Sequence, residues 1–103
     1  MAQIIWTGPA LSELDAIADY IALDKPSAAK RFVQRVLTSV ERLADLPESG
    51  QRIPELPKSL YRQLIVTPCR IFYRHEAGKI FIIFVMRGER HFKEEFLKET
   101  PPM

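Results

Sequence analysis

The chain has 103 residues, of which 47% are apolar and 27% charged, the balance of a folded soluble domain and not of a disordered chain. A single cysteine, Cys69, excludes an internal disulfide, and the longest apolar run, Ile80–Met86, is far short of the roughly 20 residues that a membrane-spanning helix needs. Net charge is only +2, yet residues 1–51 carry −2 and residues 52–103 carry +4, so the basic second half points to acidic or polyanionic partners.

These bounds predict one domain over residues 1–103, in a reducing cytoplasm, with no membrane segment. Met1–Trp6 lacks the basic region and apolar stretch of a signal peptide. Gln3–Thr7 holds Ile4, Ile5 and Trp6 and ends at Gly8-Pro9, which predicts a first strand. Pro9 suits a helix's opening turn. Leu11, Leu14, Ile17, Ala18 and Ile21 then recur at three and four, marking a helix to about Leu23. Asp24-Lys25-Pro26 interrupts the pattern, with Asp24 or Ser27 placed to cap a second helix. Ala29, Phe32, Val33, Val36, Val40 and Leu43 form its apolar stripe, and Pro47 and Gly50 stop it. So short a break predicts an antiparallel helical hairpin.

Gly50, Pro54 and Pro57 predict an irregular connection to Ser59. Strands follow at Leu60–Val66, Arg70–Arg74 and Lys79–Met86, the last apolar almost throughout and therefore central. Lys93–Glu99 reads as a short terminal helix before Pro101-Pro102. The fold class is thus α+β, β-α-α-β-β-β(-α), with the helical hairpin on one face of a mostly antiparallel four-stranded sheet and the other face partly open.

Successive strand residues face opposite ways, so Arg70, Phe72 and Arg74 share one side while Ile71 and Tyr73 share the other. Arg62, Arg70 and Arg90, with Arg74 and Arg87 nearby, suit phosphate or carboxylate because the guanidinium donates paired hydrogen bonds and stays charged. Beside Tyr61, Phe72 or Tyr73 they could serve nucleic acid, and the plain alternative is solubilising charge on an open face. His75 falls at a turn, which favours an exposed surface residue. His91 follows Arg90 and, in extended chain, would face away from it. Cys69 has no histidine partner and reads as packing. No phosphate loop, zinc-ligand cluster or nucleophile elbow is present.

At the level of short strings, Tyr20-Ile21-Ala22, Ala28-Ala29-Lys30-Arg31-Phe32, and Leu43 with Pro47 and Gly50 resemble the helical hairpin of RelE/ParE toxins. Tyr61-Arg62, Arg70–Arg74 and Val85-Met86-Arg87-Gly88-Glu89-Arg90 are similar to that superfamily's three C-terminal strands, and the resemblance spans residues 4–97. It implies a cytoplasmic type II toxin that causes growth arrest and serves plasmid stabilization. A cognate antitoxin would neutralise it in a hetero-oligomer, with a toxin dimer as a further arrangement, and no metal or organic cofactor is implied. The antitoxin is expected beside the helices and the sheet edge, with acidic residues on Arg62, Arg70 or Arg90.

The superfamily divides by target. RelE-like members cut mRNA in the ribosome; ParE-like members bind and block DNA gyrase. In the ribonuclease reading Arg70 and Arg90 would clamp the phosphate and His91 or His75 would move the proton. However, the tyrosine that RelE-type enzymes carry six residues after the last arginine is matched by Phe96, which cannot. The lysine-rich patch is also thin, with Lys58 its main candidate. Pro47-Glu48-Ser49-Gly50 and Pro54-Glu55-Leu56 look closer to the ParE branch. Arg87, standing where many ParE-like chains have histidine, departs from it. The expectation is therefore a ParE-like gyrase inhibitor, the alternative a ribosome-dependent mRNA endonuclease. Target- or antitoxin-binding residues would be Arg62, Arg70, Arg74, Arg87, Arg90, Tyr73 and Phe96.

Overall fold

Thr7 sets the first helix. In the computed structural model, which describes residues 1–88 and 90–99, its side chain accepts the Ala10 N–H at 3.3 Å and so caps α1 (Gly8–Asp24). α1 ends and α2 (Pro26–Glu41) begins at one residue: the Lys25 N–H donates to the Ile21 carbonyl at 3.0 Å, and the Lys25 carbonyl accepts from Ala28 at 3.0 Å. Neither Asp24 nor Ser27 caps α2, a correction to the sequence reading, because the extended backbone of Lys25 makes the junction and Pro26 has no N–H to satisfy. Leu14 and Ile17 of the predicted α1 stripe are buried, but the stripe begins at Ala10 and Leu11 is exposed; on α2 Ala29, Phe32, Val36 and Val40 are buried as predicted. A 3-10 turn, Arg42–Ala44, adds Leu43.

The sheet has the order β1-β5-β4-β3-β2, with β1 at Gln3–Trp6, β2 at Gln51–Arg52, β3 at Arg62–Val66, β4 at Cys69–Glu76 and β5 at Lys79–Arg87. Only the β1–β5 pair is parallel. The predicted order and mostly antiparallel character hold, with a strand more than expected. β2 lies in the connection read as irregular, and two residues are too few to show alternation. β5 is central, as its apolar run implied, and Ile82–Met86 are buried.

The β4–β5 register steps from Phe72 opposite Phe84 to Tyr73 opposite Ile82, leaving Ile83 as an extra residue on β5. This bulge sorts the strand's side chains: Ile80, Ile82 and Val85 pack with the helices, Ile83, Phe84 and Met86 on the opposite face. Thr7 is tied to the same place, its hydroxyl donating to the Ile82 carbonyl at 2.7 Å. The cap of α1 and the kink of β5 thus share one residue, which fixes the hairpin over the sheet.

The second face is closed, contrary to the expectation of an open one. Ile53 and Leu56 from the connection and Phe92, Phe96 and Leu97 from the C-terminal segment cover Phe72, Ile83, Phe84 and Met86. The predicted terminal helix is only a 3-10 turn, Glu94–Leu97. Its one aromatic residue, Phe96, packs onto the sheet. Glu89 of the Val85–Arg90 string and the Pro101-Pro102 end lie outside the described residues.

Candidate functional site

The covering segment builds a row of rings on this second face. Phe72 meets Phe92 edge-on at 5.4 Å, Phe92 meets Phe96 at 6.5 Å, and Phe96 stacks flat on Phe84 at 4.6 Å. Arg70 stands over Phe72 and Phe92, at 5.1 and 5.7 Å from their centroids. Arg90 stands over Phe96 at 4.8 Å and Phe84 at 5.9 Å. The two arginines expected to act together therefore flank one aromatic row, each with a cation–π contact.

They differ in how firmly they are held. The Arg70 guanidinium grips Glu55 through two parallel bonds of 2.7 and 2.8 Å, and its Nε donates to Gln63 at 2.8 Å. The Glu55 carboxyl is held below the usual carboxylate range chiefly by that hydrogen-bonded guanidinium. A phosphate at Arg70 must therefore displace an internal carboxylate. Among the described residues, Arg90 has a single ion pair, a loose one with Glu13 of α1 at 3.6 Å, and its side chain is 45% exposed.

Arg74 is committed as well. It pairs with Glu99 at 2.9 Å and with Glu76 at 2.7 Å, and lies over the Phe81 ring. The hydrogen-bonded guanidinium pushes the Glu99 carboxyl down. The Tyr61 hydroxyl donates to Glu99 at 2.8 Å, and burial together with that carboxylate pushes the phenol up to about 12. Such a phenol is a poor base near neutral pH. Arg87 stacks over Tyr20 of α1 at 4.3 Å.

Two predicted contact residues have structural tasks, and for Tyr73 its burial is a correction. Tyr73 is fully buried; its hydroxyl accepts from the Gly50 N–H and donates to the Pro47 carbonyl, both at 2.9 Å. Burial pushes this phenol up too. Arg62 donates to the Gly50 carbonyl at 2.9 Å and so supports the same connector. A β-strand's alternation told which face Tyr73 takes but not that the face is sealed. Phe96, half-buried in its stack, is part of the row itself.

His91 and His75 are exposed, and Cys69 is buried as expected. Among the described residues no group of three His, Cys, Asp or Glu is placed to hold a metal ion, and no helix is long and apolar enough to cross a membrane. Sequence reasoning missed the partners of the arginines. Glu55 and Glu99 lie in segments without periodicity, so no pattern announced them. Glu13 and Tyr20 are seven residues apart on α1, a spacing that places both on one helix side and could have linked them to Arg90 and Arg87.

Comparison with known proteins agrees with this architecture. The model of the "ParE toxin of type II toxin-antitoxin system, parDE" matches residues 4–92. Toxin RelE2 of Caulobacter vibrioides is 36% identical over 91 residues, covering 87% of this chain and 99% of that one. A putative toxin of Sinorhizobium fredii, Y4kP, is 49% identical over 49 residues, 48% of this chain and 51% of that one. Among solved structures, a chain of the chromosomal ParDE toxin–antitoxin system from P. aeruginosa superimposes with a TM-score of 0.71 at 28% identity, covering 86% of this chain and 98% of that one.

Proposed function

The chain belongs to the ParE toxin family of type II toxin–antitoxin systems, and on that premise we propose that it arrests growth in the cytoplasm by binding and blocking DNA gyrase, held in check by a cognate antitoxin in a hetero-oligomer. The observation that carries this reading is the neighbour of Arg90. The group beneath that guanidinium is the Phe96 ring, stacked on Phe84. A hydrocarbon ring can bind a partner and cannot move a proton. Strand cleavage of RNA needs a base and an acid beside the cations that steady the phosphorane. Here Tyr61 is bound to Glu99 and Tyr73 to Pro47 and Gly50. Inhibition of gyrase supercoiling by the purified chain is the expected result, and undiminished supercoiling at large molar excess overturns the proposal.

A ribosome-dependent mRNA endonuclease is the second reading. It is favoured by Arg70 and Arg90 flanking one aromatic row, with His91 next to Arg90 in sequence, and by the name of the Caulobacter relative, Toxin RelE2. New 5′ ends on ribosome-bound message after adding the protein would support it, and unaltered ends would remove it.

A further inference from the structure

Arg31 and Arg35 of α2 and Arg42 of the turn after it recur at intervals of four and seven residues, which sets them in one row. They line an open groove of about 830 Å³ whose far wall is the end of β3 with Thr67. No acidic side chain lines this groove. Arg35 donates to the Thr67 carbonyl at 2.9 Å, which leaves most of its N–H groups available. Among the described residues, Arg31 and Arg42 have no ion pair. All three are exposed. At the aromatic row, by contrast, Arg70 and Arg74 are already neutralised by carboxylates.

A row of guanidiniums without counter-charges on the chain concentrates positive potential along one line, and a polyanion with charges along a line answers it. Arg31 and Arg42 lie about 16 Å apart along the helix axis, the axial length of roughly five nucleotides in one strand of a duplex. Phosphate oxygens are held by guanidinium, hydroxyl and amide donors, and Gln34, Thr38 and Thr67 supply the last two kinds around the arginines. No aromatic ring lines the groove. Unpaired bases would find nothing there to stack on, and a protein partner would lack the aromatic anchors from which such interfaces draw much of their affinity. The backbone of a duplex needs neither.

We propose that this groove binds the phosphodiester backbone of duplex nucleic acid through Arg31, Arg35 and Arg42, without reading its sequence. Each phosphate that an arginine neutralises releases counterions, so the binding weakens steeply with salt. The contact holds the chain along a duplex and leaves the base edges untouched. Such binding goes beyond gyrase inhibition and does not depend on it. Its test contains no gyrase, so either reading can fail while the other stands.

The test titrates a short fluorescent duplex DNA of mixed sequence with the full chain and reads anisotropy at salt from about 50 to about 200 mM. Saturable binding that weakens with salt is expected. The triple variant Arg31→Ala, Arg35→Ala, Arg42→Ala changes exposed side chains and is checked for folding by circular dichroism. Its plot of log K against log salt is expected to be shallower by about 2.7, or about 0.9 for each of three phosphates, with affinity at least roughly tenfold lower at the lowest salt. A second variant, Lys25→Ala, Lys79→Ala, Lys98→Ala, removes the same charge from exposed positions outside the groove and is expected to lose less than about threefold. No saturable binding at the lowest salt, an unchanged salt slope in the arginine variant, or equal losses in the two variants overturns the proposal. Tighter binding of the corresponding single strand overturns the duplex assignment. A polyglutamate peptide of equal charge that binds more tightly than the duplex overturns it in favour of an acidic protein.

Discussion

On the helix side of the sheet, Phe32, Val36, Val40 and Leu43 meet Ile71, Tyr73, Ile82 and Val85, all essentially out of water. On the other side Phe72, Ile83, Phe84 and Met86 are roofed by Phe92 and Phe96, which stay partly exposed, and the roof is held by Arg70–Glu55 and Arg74–Glu99. The first core is built from regular elements and seals completely. The second is built from irregular chain and relies on charged side chains at its rim. Rim pairs between exposed groups contribute little each, so the roof is the weaker layer and the one a partner can most readily rearrange.

That contrast can be broken by mutation. Phe32→Ala removes a ring that is 2% exposed and should cost about 3–5 kcal/mol in urea unfolding. Phe96→Ala removes a half-buried ring and should cost about half as much. Equal losses would show that the two faces are equally sealed. Between these lies the connector. A Cβ on Gly50 would sit 2.5 Å from the Tyr73 hydroxyl and 2.8 Å from the Gln63 carbonyl, so Gly50→Ala should cost about 1–3 kcal/mol by overpacking. Tyr73→Phe leaves the Gly50 N–H and Pro47 carbonyl without their partner and should cost about 1–3 kcal/mol. A neutral result would mean that the connector is held by Arg62 and not by the phenol.

The smallest effect concerns pH and belongs to the roof alone. Guanidinium partners hold the Glu55 and Glu99 carboxyls below their ordinary range. Their contribution is therefore full above the ordinary carboxylate range and is lost as pH falls through the depressed values. Amide exchange in residues 92–98 should speed up, after correction for intrinsic rates and relative to that in α2, as the pH is taken below the ordinary carboxylate range. Because the pairs are partly exposed, the change should be of order 0.5 kcal/mol each. Glu99→Gln should remove most of the difference at its end of the segment, and an unchanged acid response would show that the roof is held by its rings alone.

The helix-side core was legible in the sequence because Leu14, Ile17, Phe32, Val36 and Val40 repeat at the period of a helix, and a repeated spacing declares a face. Ile71 and Tyr73 were likewise placed opposite Arg70, Phe72 and Arg74 by strand alternation. The roof was not legible, since Ile53, Leu56, Phe92 and Phe96 are apolar residues without period and their common destination exists only after the sheet has formed. The bulge at Ile83 was hidden for the opposite reason: in a run apolar on both faces, an extra residue leaves no break in the pattern. Arg70 and Arg90, singled out together, flank one aromatic row, but the carboxylate that occupies Arg70 was invisible.

The parallel pairing of Ile4 with Ile80 and of Trp6 with Ile82 joins the beginning of the chain to its last long strand. A polypeptide that ends before that strand has both helices and the β3–β4 hairpin, but lacks the strand that pairs with β1 and sets Ile80, Ile82 and Val85 against the helices. A chain cut anywhere before Lys79 therefore leaves its first strand without a neighbour, and the helical pair then rests on half a platform.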